Sequence, residues 1–202
     1  MKRVWIFAAT ILGSLACTAA QATGNAEAGA SKATVCQGCH GANGNSVNPE
    51  WPSLAGLGAG YMVEQLQNFK DGKRSNPIMM PMAAPLSLQD MADLAAYFDG
   101  LVNTGLEADP TYFRVGEKLY RGGEKARGIP ACLACHGPNG HGNEPAKFPS
   151  VHGEHSAYIA KQLNDYASGV RPPGPGGIMA TISKRLSADD IRNLSSYVQG
   201  LR

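Results

Sequence analysis

The sequence predicts an all-α protein of two tandem small domains, each a three-helix-plus-loops fold, and three observations carry that expectation. The second half repeats the first. Each half contains amphipathic stretches at helical spacing, and no stretch shows sustained strand alternation. Each half also holds one Cys-x-x-Cys-His, as Cys36-Gln37-Gly38-Cys39-His40 and as Cys132-Leu133-Ala134-Cys135-His136.

The repeat sets the domain count. Cys36 and His40 match Cys132 and His136 at an offset of 96. Trp51-Pro52-Ser53, Tyr61, Gln65-Leu66, Gly72 and Arg74 match Phe148-Pro149-Ser150, Tyr158, Gln162-Leu163, Gly169 and Arg171 at 97. Leu86-Ser87 and Tyr97 match Leu186-Ser187 and Tyr197 at 100. The offset drifts in Gly/Pro/Asn-rich stretches, where loops tolerate insertions. The expected domains are residues 23–102 and 111–202, with 103–110 as linker.

Residues 1–22 read as a cleaved export signal. Lys2 and Arg3 are its positive start, Val4 to Leu15 its apolar run and Ala20-Gln21-Ala22 its cleavage site. That run is short of the roughly 20 residues a spanning helix needs. Cys17 is not expected to carry lipid, because Ser14 stands three residues before it where an aliphatic residue belongs. A periplasmic protein is the expectation.

In the first copy a helix is expected over Asn25 to Cys39. A second runs from Tyr61 to Asp71, with Tyr61, Leu66 and Phe69 on one face and Gly72 as its stop. A third is capped by Ser87 with Asp90 three residues on, and Met91, Leu94, Ala95 and Phe98 form its apolar stripe. The second copy repeats this with Tyr112 to Tyr120 plus a short helix at the motif, His155 to Ala167, and Ser187 to Val198. Gly29 under Tyr97, and Gly116 under Tyr197, suit a close crossing of the first and last helices of each copy.

Cys-x-x-Cys-His is the attachment signal of haem c. On one helical turn both sulfurs reach the vinyl groups of one porphyrin, and the histidine that follows is carried beneath its iron. A redox dithiol or half a zinc site explains a cysteine pair but not a histidine directly after both pairs. Four of the five cysteines lie in the mature chain, and the two motifs consume all four as thioethers rather than disulfides. Two covalent haem c groups are therefore expected, on Cys36 and Cys39 and on Cys132 and Cys135, with His40 and His136 as proximal iron ligands.

The repeat also nominates the opposite ligands. His40 is the only histidine of the first copy, and His141, His152 and His155 of the second have no counterpart there. Methionine is the other common partner of histidine in c-type cytochromes. Met179 lies seven residues before Leu186, and Met79 seven before Leu86. Met79 and Met179 are thus the expected ligands, with Met82 the rival in the first copy. Both candidates are expected on stiff irregular backbone, among Pro77 and Pro81 and after the Pro172-to-Gly177 run. The carbonyls of Pro52 and Pro149 are placed to accept the imidazole N–H. Arg74 and Arg171 suit either a haem propionate or a solvated helix end.

With these motifs, and with Trp51-Pro52-Ser53-Leu54-Ala55-Gly56 and Asn76-Pro77-Ile78-Met79, the chain resembles the cytochrome c4 family over essentially its whole mature length. The resemblance implies two cytochrome c-like domains packed with haems facing, and electron transfer between a respiratory-chain donor complex and a terminal oxidase or other acceptor. The Pro/Gly-rich run after Arg171 departs from the family pattern.

The residues alone point the same way. An iron held by histidine and methionine has no open position, whereas an electron needs only an exposed haem edge. A carrier is expected, not an enzyme. A di-haem peroxidase would need a vacant iron site, and a haem-based sensor would need an output module. Expected partners are redox proteins, a peroxidase among the acceptors, with peripheral contact to the periplasmic membrane face and no nucleic acid. Residues 23–105 hold four Lys/Arg against seven Asp/Glu, and residues 106–202 twelve against nine, so the mature chain is near neutral yet dipolar.

Overall fold

The computed structural model describes residues 23–201, so the segment 1–22, expected to be an export signal, lies outside the described residues. Ten α-helices appear among them, with isolated bridges Glu124 to Ile129 and Asn143 to Phe148 and no β-strand.

The first domain opens with α1 (Ala26–Lys32), where Asn25 Oδ1 accepts from Ala28 N at 2.9 Å. The single helix expected to Cys39 is broken at Ala33. Its N–H reaches back only three residues, to Ala30 O at 3.3 Å, which tightens the turn before α2 (Thr34–His40) begins. Ala33 is fully buried in the core, so the tightened turn is pinned by packing.

Helix α3 (Ala59–Lys70) buries Met62, Leu66 and Phe69 and ends at Gly72, whose φ of 69° favours glycine. Helix α5 (Leu88–Asp99) starts at the expected capping box. Ser87 Oγ accepts from Asp90 N at 3.1 Å, and Asp90 Oδ2 accepts from Ser87 N at 2.9 Å. Between them lies an unforeseen short helix, α4 (Met79–Ala83). Met91, Leu94, Ala95 and Phe98 form the buried face of α5, with Met62, Leu66 and Phe69 opposite. Each large side chain so buried contributes about 1.5–3 kcal/mol.

The second domain repeats this plan with a longer opening loop. Helix α6 (Pro110–Gly122) has Asp109 accepting from Thr111 N at 2.8 Å and proline at its first position. A loop closed by the Glu124 to Ile129 bridge leads to α7 (Leu133–His136). Then come α8 (Ser156–Ser168), α9 (Ile178–Ser183) and α10 (Ala188–Gln199). Ser187 and Asp190 repeat the capping box on α10. Leu119, Tyr120, Ile129, Leu194, Tyr197, Val198 and Leu201 form this domain's core.

The two glycine crossings are as the repeat required. A methyl group on Gly29 would lie 2.0 Å from Asp93 O and 2.8 Å from Tyr97 Cβ, and one on Gly116 would lie 2.1 Å from Asn193 O and 2.6 Å from Tyr197 Cβ. Helices α1 and α5, and α6 and α10, meet backbone to backbone. Gly29→Ala and Gly116→Ala should each cost about 2–3 kcal/mol in thermal or denaturant unfolding. Gly122→Ala, with nothing within 4 Å of the new methyl, should change stability by only a few tenths of a kcal/mol.

Candidate cofactor sites

Helix α2 ends on His40 because Gly41 follows with a φ of 88°, where a methyl would lie 2.0 Å from Asn45 O. That reversal turns the chain so that Pro52 reaches the imidazole. His40 Nδ1 lies 2.7 Å from Pro52 O, and His136 Nδ1 lies 2.9 Å from Pro149 O. A carbonyl only accepts, so Nδ1 carries the proton in both rings and Nε2 keeps a free lone pair. Burial pushes both imidazoles below their ordinary pKa, which keeps them neutral and competent as iron ligands.

Cys36 and Cys39 sit on the same turn of α2, and Cys132 and Cys135 hold the matching places at α7. All four are unpaired. Burial pushes the Cys36 thiol up, and the Cys132 thiol up to about 11. Among the described residues no group of three or more His, Cys, Asp or Glu side chains is placed to hold a metal ion. The donor set therefore fits a porphyrin iron, not a bare cation.

Met79 and Met179 line the same continuous cavity as the four cysteines and both histidines. The backbone beneath them is more regular than expected. Asn76 Oδ1 accepts from the amides of Ile78 and Met79, both at 2.9 Å, and so starts α4 with Met79 as its first residue. Pro81 fits inside this short helix because first-turn N–H groups have no intrahelical partner. In the second domain the Pro/Gly run ends with Gly177 at a φ of 66°, and α9 places Met179 second. Met82 also lines the cavity but is exposed.

Arg74 and Arg171 line the cavity but are not solvated helix ends. Arg74 donates to Gln65 Oε1 at 2.9 Å and, across the domain boundary, to Tyr158 Oη at 3.0 Å and Gln162 Oε1 at 2.8 Å. Arg171, 5 % exposed, donates to Gln162 Oε1 at 2.8 Å, to Gln65 Oε1 at 3.0 Å and to Tyr61 Oη. Each guanidinium also covers a ring of its own domain, Phe69 at 4.6 Å and Tyr166 at 4.4 Å. The solvated-cation expectation is corrected: the two arginines join the domains through a nearly symmetric network beside the cavity. The repeat matches Tyr61, Gln65 and Arg74 to their copies, but helical spacing places Tyr61 only on the apolar face of its helix and gives the glutamines no role. Polar residues repeated on a half-buried helix face were the available signal.

Two helical turns, each presenting paired thiols and a neutral imidazole to a cleft that also holds a methionine, define a c-type cytochrome domain built twice. The cytochrome c family profile matches residues 26–101 and again 116–202. The chain is 46% identical to cytochrome c4 of Azotobacter vinelandii over 95% of this chain and 97% of that one. It is 48% identical to cytochrome c4 of Pseudomonas aeruginosa, covering 90% and 91%. The crystal structure of reduced recombinant cytochrome c4 from Pseudomonas stutzeri superposes with a TM-score of 0.86 at 46% identity, over 89% of this chain and 100% of that one. The chain belongs to the cytochrome c4 family. It is a di-haem electron carrier whose two cytochrome c domains each bind haem c covalently.

Replacing Arg171 by Ala strips a charged donor from the buried Gln162 and from the half-buried Tyr61 and Gln65. The unfolding free energy should fall by about 2–3 kcal/mol, and by less for the half-buried Arg74→Ala, as read from denaturant titration.

Proposed function

We propose that this protein carries electrons in the periplasm between a respiratory-chain donor complex and a terminal oxidase or another acceptor such as a peroxidase. The observation that carries this reading is the meeting, in one cavity, of two thiols, a lone-pair imidazole nitrogen and a methionine in each domain. Cys36 and Cys39 would hold the first porphyrin as thioethers, and His40 and Met79 would ligate its iron. Cys132, Cys135, His136 and Met179 would do the same in the second domain. Bound haem supplies a one-electron iron couple, and thioether ligation raises its potential. With a histidine and a methionine both given to the iron, no ligand position would be left for oxygen or peroxide, and the protein's work is to keep those side chains fixed while charge changes.

Partners need a surface near each haem. Val35, Ile78 and Met82 in the first domain and Val170 and Ile178 in the second are exposed apolar residues at the rim of the cavity. Such a rim favours brief contacts with other redox proteins. The opposite net charges of the halves support separate donor and acceptor ends. Among the described residues no helix is long and apolar enough to cross a membrane, so membrane contact is proposed as peripheral.

Mass spectrometry of the mature protein should read two haem additions, and a single addition would remove the proposal. Met79→Ala should abolish the first haem's weak sulfur-to-iron absorption and lower its potential, while Met80→Ala and Met82→Ala leave the spectrum nearly unchanged. Loss of that absorption in Met82→Ala would move the ligand by three residues.

Lys184 is exposed at the end of α9, whereas its neighbour Arg185 is held by Gly128 O. Lys184→Glu should therefore slow stopped-flow electron transfer with one partner and not the other. The slowing should shrink as salt brings the Debye length below about 10 Å. Equal slowing with both partners would mean a single docking surface.

A further inference from the structure

The two proximal histidines have matched surroundings that differ at one group. Each gives its Nδ1–H to a proline carbonyl, and the N–H of that same peptide unit belongs to a serine facing the other domain. In the second domain, Ser150 N donates across the boundary to Leu57 O at 3.1 Å. In the first, Ser53 N donates across it to the Glu154 carboxylate, at 3.1 Å to Oε2 and 3.3 Å to Oε1. Leu57 and Glu154 are equivalent positions in the register that pairs Ser53 with Ser150. A carboxylate thus stands where the repeat would place a neutral carbonyl.

Glu154 is 6 % exposed and takes a second amide, His155 N, at 2.8 Å. The His155 ring is engaged elsewhere, with Nε2 2.8 Å from Ser46 O. Among the described residues no lysine or arginine forms an ion pair with Glu154. Other titratable groups facing the cavity from the adjoining segments are His40, Glu50, Lys147, Tyr158 and Lys161, the last paired with Asp165. Burial pushes the Glu154 carboxyl up to about 8, against the pull of the two amide donors.

We propose that Glu154 is a positioning residue through which the second domain tunes the first haem, acting on His40 by way of the Pro52–Ser53 peptide and linking that haem's potential to a proton. Hydrogen bonds in a chain polarise one another. An ionised Glu154 draws the Ser53 N–H, makes Pro52 O a stronger acceptor and loads negative charge onto the His40 imidazole. Charge on the ligand favours the ferric iron. The balance is simple: reduction brings one electron from the donor protein, one proton comes from water, and that proton ends on Glu154. His136 has only the Leu57 carbonyl behind its peptide and lacks this link.

The inference rests on His40 ligating the first haem. The test is a potentiometric titration of the full di-haem protein from about pH 6 to about pH 10, bracketing the Glu154 value of about 8. In the wild type the first haem's potential should fall as pH rises through that value, and the second haem's should change much less. Glu154→Gln, which keeps a neutral acceptor, should raise the first potential at alkaline pH and flatten its pH dependence. Infrared difference spectra of the wild type should show a protonated carboxyl gained on reduction, and the signal should be absent in the variant. A first haem whose potential does not respond to pH overturns the proposal. So does an unchanged pH profile in Glu154→Gln, which would assign the proton to a haem propionate. If Glu154→Gln does not fold, Glu154→Asp, which keeps a carboxyl, should shift both the infrared band and the midpoint of the pH profile; a band that is absent, or that does not move, refutes the proposal. Failure of the underlying reading has its own mark, the absence of shifted His40 ring-proton resonances from the wild-type NMR spectrum, and that too removes the inference.

Discussion

The structure turns on two peptide groups, Pro52–Ser53 and Pro149–Ser150. Each spends its carbonyl inside its own domain, on the proximal histidine, and its N–H outside, on the partner domain. A peptide unit is planar and stiff, so the orientation of the imidazole and the placement of the neighbouring domain are set by one rigid body. That explains why a protein whose domains each have a complete core also invests buried polar contacts in holding them together. Histidine geometry and domain docking are not independent properties here.

Duplication gives the interface its form. Tyr61, Gln65 and Arg74 face Tyr158, Gln162 and Arg171, so a contact made once in each direction is made twice. Such a network adds little stability over well-packed apolar residues of the same volume, because a buried guanidinium loses its water before it gains its partners, although removing one member leaves the others unpaired. It adds geometric selectivity, since two forked donors and two amide oxygens are satisfied together only in a narrow range of orientations. Symmetry then fails where the two sites can differ usefully. The Cys-bearing turn follows α1 directly in one domain and a bridged loop in the other, and Glu154 replaces a backbone acceptor on one side alone.

Much of this was legible in the sequence because the constraints are local or repeated. A haem dictates Cys-x-x-Cys-His residue by residue, a capping box needs only Ser87 with Asp90, the repeat register carried Pro52 onto Pro149, and a glycine on each opening helix suited the crossing under Tyr97 or Tyr197. What stayed hidden depends on contacts between segments distant in the chain. The break at Ala33 follows from burial of its methyl among residues of α3 and α5. Helix α4 was masked by Pro81 inside it and Pro77 just before it, which read as helix breakers unless Asn76 is known to supply the first turn's acceptor. The arginines read as propionate partners or solvated helix ends, and their cross-domain contacts stayed hidden because those partners lie in the other domain.

Glu154 is the sharpest instance. In sequence it is one acidic residue in a loop, matched in the repeat to a leucine, and nothing local distinguishes it from a solvated side chain. Only the fold brings it against Ser53, and only the pseudo-symmetry exposes its oddity, because the equivalent peptide is served by a neutral oxygen. Burying a carboxyl without a cation is costly, and two backbone amides offset that cost only in part, as its raised pKa indicates. A fold that needed only an acceptor at this point had a cheaper one in its own repeat, the main-chain carbonyl used on the other side. The charge is therefore better understood as directed at what lies beyond the peptide, the imidazole of His40, than as a means of holding two domains together.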